Sequence, residues 1–278
     1  KNGTPSTPPD GGGGLSRRVP VPDIPYGEAN PTRAFTLPAP DAGDFRMAVH
    51  AVSDEVTRQI SGEPGSAATR IAFVRQNRGS NDLMIVDSDG ENLRRLTGTE
   101  GLIYSPAWAP DGSRMAYTLQ GEGTSQLFER DMSSGRVRTL STPRSQLIMT
   151  PVYSPDETKL AYAASINDRL ELFEADVNSG RFQQITRGPA YSFSPSYSPD
   201  GSRIAFNSNR LGNPHIYVMP SGGGGATLIT PYVSGQRGYY TSPQWAPSGT
   251  QITFHGHWNS RGTYQVFVDA QYGATASS

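Results

Sequence analysis

The stretch SPSYSPDGSRIAFNS, residues 194–208, occurs in four closely related copies. The other three are SPAWAPDGSRMAYTL from residue 105, TPVYSPDETKLAYAA from residue 150 and SPQWAPSGTQITFHG from residue 242. The aromatic residue before the turn recurs at steps of 45, 44 and 48 residues. A partial fifth copy, TRIAFV, begins at Thr69. A period in the middle forties with several short strands per unit is typical of β-propeller blades.

Each copy predicts two hairpins. In SPDG, proline and glycine favour a tight turn, and the alternation that follows predicts a strand. About ten residues later a second alternating run ends in Leu or Ile followed by Thr or Ser. A four-stranded blade cannot bury both faces alone, so large aromatic residues are expected to fill the wedges between blades. These are Trp108, Tyr117, Tyr153, Tyr162, Tyr197, Phe206, Trp245 and Phe254.

The fold class predicted is therefore all-β, a propeller of four-stranded antiparallel blades. Five blades are recognisable and six are possible. The five cover approximately residues 69–98, 104–142, 149–187, 193–231 and 240–271.

Two segments precede the repeats. Residues 1–43 hold nine of the 23 prolines and the run Gly11–Gly14, a composition that predicts an extended arm. Residues 44–68 contain one short helix, with an apolar stripe, Asp44 as cap and Gly62 as stop. The stripe comprises Phe45, Ala48, Val52, Val56 and Ile60. We therefore divide the chain into the arm, this helical junction and a propeller over 69–278.

Composition excludes several classes of function. The net charge is -1 and the sequence pI is about 6.5, which argues against nucleic acid as the main partner. No apolar run approaches the roughly 20 residues that span a bilayer, so we expect that the chain does not itself cross a membrane. The absence of cysteine removes thiolate catalysis and cysteine-ligated zinc. The chain begins without methionine or a signal-peptide pattern, as expected for a processed product.

The repeat and its junction resemble the TolB family. The repeat is also similar to propellers of prolyl-oligopeptidase relatives, but FRMAVHAVSDEVTRQISGEPGSAATRIAFVRQ, residues 45–76, resembles the junction between the TolB amino-terminal domain and its first blade. The resemblance covers roughly residues 45–271. It implies a periplasmic, non-catalytic propeller without cofactors. The implied partners are cell-envelope proteins, membrane-anchored or integral to the membrane.

Three departures from that family affect the prediction. TolB propellers have six blades, whereas five are recognisable here. Three alternatives are open: a sixth blade lies beyond the given residues, the amino-terminal segment fills the gap, or the ring is open and a partner covers its edges. Residues 1–43 do not match the family. Its amino-terminal domain is largely missing, so the contact of that end with a membrane-anchored energy-transducing partner is in doubt.

No catalytic constellation is found in the sequence. There is no G-x-S-x-G elbow or phosphate-binding glycine pattern, and DSDGEN at 87–92 fits a hairpin turn better than a calcium loop. His50 is expected at the edge of the helical stripe or in solvent. His255 and His257 alternate so that both imidazoles share one strand face, and they are the candidate metal ligands.

Surface loops remain as the candidate sites. The loop PYVSGQRGYYTSP, residues 231–243, contains Arg237, Tyr239 and Tyr240, and tyrosine and arginine are enriched at interfaces. The loops 98–104 and 142–149 occupy equivalent positions. In the arm, Arg17, Arg18 and Tyr26 are further candidate partner contacts.

The sequence thus predicts a protein-binding or scaffold subunit of the bacterial envelope. One alternative is an extrinsic accessory subunit of a membrane complex, for example respiratory or photosynthetic, held through the arm and the propeller loops. A second alternative is a propeller that binds a small molecule or a metal in its channel.

Overall fold

The computed structural model describes residues 35–63, 65–97, 101–232, 238–257 and 265–269. Helix α1 spans Phe45–Ser61 and is followed by short strands. In chain order these are β1 (Arg70–Gln76), β2 (Asn81–Asp87), β3 (Arg94–Arg95), β4 (Leu102–Trp108), β5 (Arg114–Gln120), β6 (Ser125–Asp131), β7 (Val137–Thr139), β8 (Ile148–Tyr153), β9 (Lys159–Ile166), β10 (Arg169–Asp176), β11 (Phe182–Gln184), β12 (Ser192–Tyr197), β13 (Arg203–Leu211), β14 (Asn213–Pro220), β15 (Thr227–Leu228), β16 (Tyr239–Trp245), β17 (Ile252–His257) and β18 (Gln265–Asp269).

The strands form five antiparallel sheets, which we call blades 1 to 5. Blades 2, 3 and 4 have four strands each, in the orders β4-β5-β6-β7, β8-β9-β10-β11 and β12-β13-β14-β15. Among the described residues, blade 1 is β1-β2-β3 and lacks a strand equivalent to β4, and blade 5 is β16-β17-β18. The first strands of neighbouring blades contact one another in the series β4, β8, β12, β16, so they lie innermost. The predicted propeller of five recognisable blades is confirmed.

Hydrophobic clusters lie between successive blades. The cluster between blades 2 and 3 joins Ala116 and Leu127 to Tyr153 and Tyr162. Three others join blades 1 and 2, 3 and 4, and 4 and 5. Seven of the eight predicted repeat aromatics are buried, and Trp108 is half-buried against its cluster. All eight lie in or against the hydrophobic clusters between blades.

Two of these wedges also contain a buried hydrogen bond between blades. The Tyr153 hydroxyl donates to Oε1 of Glu129 at 2.8 Å, and the Tyr197 hydroxyl donates to Oε1 of Glu174 at 2.8 Å. Both carboxylates are 4% exposed, so each needs such a partner. At the interfaces that have tryptophan at the tyrosine position, the third strand of the preceding blade carries an aliphatic residue: Ile85 before Trp108 and Val218 before Trp245.

The turns follow the predicted chemistry. Oδ1 of Asp111 accepts the backbone N–H of Ser113 at 2.8 Å, and Gly112 adopts φ 71°. Glu157 occupies the position equivalent to Gly112 with φ 60°, a region that disfavours side chains. Its carboxylate bridges to blade 2, accepting from the backbone N–H of Asp111 at 2.7 Å and from the Arg114 guanidinium at 2.8 Å.

Helix α1 docks differently from the prediction. No residue of α1 is buried, and Ile60 of the expected apolar stripe is 83% exposed. The helix instead presents its polar side to blade 1: Arg46 pairs with Asp87 and Asp89, and His50 Nε2 lies 2.9 Å from Oδ2 of Asp89. His50 is therefore a docking contact.

The ends of α1 agree in part with the prediction. Gly62 ends the helix in the left-handed region at φ 77°, as predicted. Asp44 occupies the N-cap position, but its side chain makes no capping hydrogen bond. Within the described part of the chain, no helix has the length and apolar character needed to cross a bilayer.

In blades 1, 3 and 4 the threonine that ends the repeat bonds to the backbone of the third strand. The hydroxyl oxygen of Thr186 accepts the backbone N–H of Leu172 at 2.8 Å, and Thr230 does the same for Ile216 at 3.2 Å. The Thr186 hydroxyl donates in turn to Oε2 of Glu171 at 2.6 Å. Glu171 is buried, and this burial raises the pKa of its carboxyl above the usual range.

We expect Tyr153→Phe to destabilise the protein by about 1–2 kcal/mol, because Glu129 loses a buried hydrogen bond. Tyr162→Phe is the matched control. The Tyr162 hydroxyl is buried without a hydrogen-bond partner among the described residues, so its removal should be neutral or slightly stabilising. Urea-unfolding midpoints measure both changes. Equal effects of the two substitutions would contradict a role for the Tyr153–Glu129 bond.

We expect Glu171→Gln to gain stability relative to wild type as pH rises from about 4 to about 7. Because the native-state pKa of Glu171 is raised, its favourable contribution is complete at low pH and is lost as pH rises through that pKa. Glutamine does not ionise and still offers an oxygen to Thr186. Urea titrations at the two pH values measure the difference, with exposed Glu63→Gln as control. A pH-independent difference for Glu171→Gln would refute the assignment.

Candidate protein-binding site

The innermost strands share one irregularity. In β4, β8, β12 and β16 the pairing with the next strand shifts at the Ser-Pro or Thr-Pro dipeptide, which forms a β-bulge. A bulge accommodates proline because the extra residue donates no ladder bond. The residue before each proline has positive φ: Ser105 at 50°, Thr150 at 51°, Ser194 at 52° and Ser242 at 54°.

This conformation is strained and held in place by its surroundings. A non-glycine residue at positive φ costs about 1–3 kcal/mol, and such residues concentrate at functional sites. Hydrogen bonds between blades fix the bulges: the backbone N–H of Ser194 donates to Oγ1 of Thr150 at 3.2 Å, and that of Trp245 donates to Oγ of Ser196 at 3.2 Å. The bulged strands therefore give the inner wall a rigid frame.

The antiparallel order of the strands divides the loops between two rims. The loop before each first strand and the hairpin between the second and third strands lie on one side, which we call the entry rim. The remaining turns lie on the other side together with α1, because α1 contacts Asp87 and Asp89 at the turn after β2; we call this the helix rim. With the first residues of the first strands included, the entry rim comprises residues 77–80, 101–104, 121–124, 142–148, 167–168, 187–192, 212 and 231–232.

Exposed aromatic rings lie along the entry rim. Tyr104 is 37% exposed, Tyr191 is 42% exposed and Tyr232 is 45% exposed, and Leu102 accompanies them. Tyrosine combines a large contact area with few rotatable bonds, which suits binding to another protein. Tyr104 and Tyr232 lie within loops that the sequence selected. Tyr191 was missed, although it directly precedes β12 and aligns with Tyr239, the first residue of β16 in blade 5.

The ring of Tyr232 packs against a buried histidine. Its ring meets that of His215 at 5.6 Å between centroids, and His215 in turn meets Tyr240 at 5.4 Å. Nδ1 of His215 lies 3.0 Å from the Thr230 hydroxyl. Burial lowers the pKa of His215, which favours the neutral imidazole. Sequence reasoning assigned no role to His215; its place at the start of the third strand, where blade 3 has Glu171, was the available signal.

The predicted partner contacts fall into three groups. Tyr239 is half-buried, and its ring stacks on His257 at 5.5 Å. Tyr240 is 1% exposed and packs edge-on against Phe254 and Phe267, so the interpretation of Tyr240 as a surface contact is corrected. Alternation along β16 turns Tyr240 toward the hydrophobic cluster that blade 5 shares with blade 4. The others lie outside the described residues: Arg17, Arg18, Tyr26 and Arg237.

The two histidines of the HGH motif share one face of β17. His255 pairs with Val266 and His257 with Tyr239, whereas Ile252 and Phe254 face blade 4. Both imidazoles are therefore on the face of blade 5 that is turned away from blade 4. In the described part of the chain, no three His, Asp or Glu side chains are grouped so that they could hold a metal ion.

The sequence matches a known domain family and named bacterial proteins. Residues 57–275 match the sequence profile described as the TolB beta propeller domain. The chain is 36% identical over 183 residues to the Tol-Pal system protein TolB of Bordetella pertussis, covering 66% of this chain. It spans only 42% of that relative's length.

Solved structures agree on the fold. The crystal structure of TolB from Acinetobacter baumannii superposes with a TM-score of 0.70 at 27% identity, over 82% of this chain and 57% of that one. An oligogalacturonate lyase from Vibrio parahaemolyticus shares the fold alone, with a TM-score of 0.56 at 15% identity over 72% of this chain and 59% of that one. The profile match covers well over half of the sequence, so the chain belongs to the TolB β-propeller domain family.

Proposed function

We propose that this chain is a non-catalytic, protein-binding propeller on the periplasmic side of the bacterial envelope. The observation that carries the proposal is the set of exposed tyrosines on the entry rim, Tyr104, Tyr191 and Tyr232. Tyr104 lies on a bulged first strand, Tyr191 directly precedes one, and Tyr232 packs on the buried ring of His215. A rigid frame that presents aromatic anchors lowers the entropy lost on binding. The same arrangement is a common way in which proteins recognise proteins.

The carboxylates of the turns have a structural role and are poorly suited to acid–base catalysis. Oδ1 of Asp131 accepts the backbone N–H of Ser134 at 2.7 Å, and Oδ1 of Asp176 accepts that of Ser179 at 2.6 Å. The Ser198 hydroxyl and the Ser202 backbone N–H lower the pKa of Asp200 to about 2. These groups are held in their charged form by the turns they stabilise. A general acid or base needs instead a pKa near the working pH.

The partner we propose is the Pal protein of the same bacterium. The curated relatives carry the name Tol-Pal system protein TolB, and this name is the reason for choosing Pal. A membrane-anchored partner would hold the propeller at the membrane surface without a spanning segment of its own. Its contact would be centred on the tyrosines, with the polar loops around them forming the outer part of the interface.

The double substitution Tyr104→Ala, Tyr191→Ala should weaken binding of purified Pal by at least about 30-fold, because removal of a hot-spot residue costs about 2 kcal/mol or more. The control is Leu93→Ala, Val137→Ala, which removes two exposed apolar side chains from the helix rim. Biolayer interferometry on the full chain gives both affinities, and thermal unfolding checks that both variants fold.

Equal losses in the two variants would reject the entry rim as the binding face. If wild type does not bind Pal, but gentle solubilisation recovers it in stoichiometric amounts with an integral-membrane complex, the alternative of an accessory subunit replaces this proposal. Tight stoichiometric metal on the purified chain, lost in His255→Ala, His257→Ala, would favour the metal-binding alternative.

A further inference from the structure

In blade 1 the strand β1 has an exposed edge. In each of the other blades a first strand pairs with the equivalent edge. Among the described strands, β1 pairs only with β2, so its other edge has no ladder. Phe73 is 36% exposed, whereas the equivalent aromatics of the next blades are 0–5% exposed. Ile71, two residues earlier on the same face, is 53% exposed. A strand edge with exposed apolar residues is a site for the addition of another strand.

A cavity of about 400 Å³ lies beside the start of this strand. Thr69 and Arg70 line it on the blade 1 side, and Trp108 and the turn to Gly112 line it on the blade 2 side. The Trp108 indole N–H is buried and has no hydrogen-bond partner among the described residues. The interface between blades 1 and 2 is therefore incompletely packed at this position.

Two equivalent interfaces show what fills this position elsewhere. A Cβ placed on Gly201 would lie 3.6 Å from Cδ of Pro155, and one on Gly249 would lie 3.7 Å from Cδ of Pro199. These prolines belong to the turn that follows the first strand of the preceding blade. A Cβ on Gly112 would meet no heavy atom of the described residues within 4 Å. Among the described residues, blade 1 lacks both a first strand and the proline in the turn that follows it.

The arm carries a segment with the required pattern. Every first strand places Ser or Thr before a proline, and a second proline follows four positions after the first. The four copies are SPAWAPDG at 105–112, TPVYSPDE at 150–157, SPSYSPDG at 194–201 and SPQWAPSG at 242–249. Residues 4–11, TPSTPPDG, have the same spacing, with Thr4 before Pro5 and then Pro9 before Asp10 and Gly11.

We propose that Thr4–Pro9 of this chain pair with the free edge of β1 as the first strand of blade 1, with Pro9 filling the cavity beside Gly112. Trp108 pairs with Met115 and Tyr153 with Leu160 in the neighbouring blades, so the equivalent register sets Thr7 opposite Ile71. Asp10 and Gly11 turn the segment away from Ala67 and Ala68, which already lead into β1.

The segment departs from the four copies at two positions, Thr7 and Pro8. Pro8 has no backbone N–H, so the docked segment lacks the bond to the second strand that Ala109 makes to the Arg114 carbonyl at 2.9 Å.

The departure at Thr7 agrees with the proposed position. The first-strand aromatic packs against the preceding blade, as Tyr153 does against Glu129 of blade 2. Among the described residues no blade precedes blade 1, and the corresponding residue is Thr7 rather than tyrosine or tryptophan. The 23 residues between Gly11 and Phe35 reach about 75 Å when extended, so chain length does not prevent the docking.

A disulfide tests the register, since the sequence contains no cysteine. Residues directly opposite in an antiparallel pair have Cα atoms about 4.5–5.5 Å apart, within the range that a disulfide spans. We expect Thr7→Cys, Ile71→Cys to form an intramolecular disulfide almost completely under mild oxidation. The control Thr7→Cys, Arg75→Cys moves one cysteine about 13 Å along β1 and should form little. Intact mass and peptide mapping give the yields.

Equal yields in the two cysteine variants would overturn the proposal. Predominantly intermolecular disulfides for the Thr7, Ile71 pair would also overturn it and assign the β1 edge to a second copy of the chain. The yields do not depend on Pal, so failure here is distinguishable from failure of the proposed function.

Hydrogen exchange on the full chain provides a second measurement without cysteine. Pro9→Asp places a charge in the cavity and should raise exchange of the β1 amides that do not pair with β2 by about tenfold or more, because they open to solvent. Pro20→Asp changes the arm outside the motif and should leave β1 unchanged. If β1 exchanges at the same rate in wild type and both variants, the segment does not dock.

Discussion

The structure depends on the contact between neighbouring blades, because a four-stranded sheet has two faces and can cover neither by itself. The contact buries side chains of both blades in one hydrophobic cluster. At the interface of blades 2 and 3, for example, Leu160 and Tyr162 share a cluster with Leu127. Close packing of these side chains fixes the separation of the blades. The bulged inner strands and both rims take their positions from it.

The polar groups in the wedges distinguish one interface from the next. Where the third strand of a blade buries Glu129 or Glu174, the following blade supplies a tyrosine hydroxyl; where it carries Ile85 or an equivalent aliphatic, a tryptophan follows. Loss of the neighbouring blade would remove the tyrosine donor from a buried carboxylate, which costs free energy. The repeats are similar in sequence, but these pairs make their interfaces chemically different.

The sequence was sufficient for the repeat, the turns and the wedge aromatics, because these follow from local turn chemistry and alternation. It was not sufficient for features decided by tertiary contacts. The positive φ at Ser105 opposes the ordinary preference of a residue before proline, so no propensity indicates it. Helix α1 docks through Arg46, whose two carboxylate partners on blade 1 lie about 40 residues away in the sequence. Tyr240 lies in the core because one step of alternation separates it from Tyr239.

Glu157 makes the interface between blades 2 and 3 stronger than the interface between blades 1 and 2. Its carboxylate ties blade 3 to Arg114 and to the backbone of blade 2, so the joint between these blades resists separation. The joint between blades 1 and 2 has Gly112 at the corresponding place and a cavity beside it. Without Pro9 in that cavity, a pulling force transmitted through α1 would therefore meet less resistance between blades 1 and 2 than between blades 2 and 3.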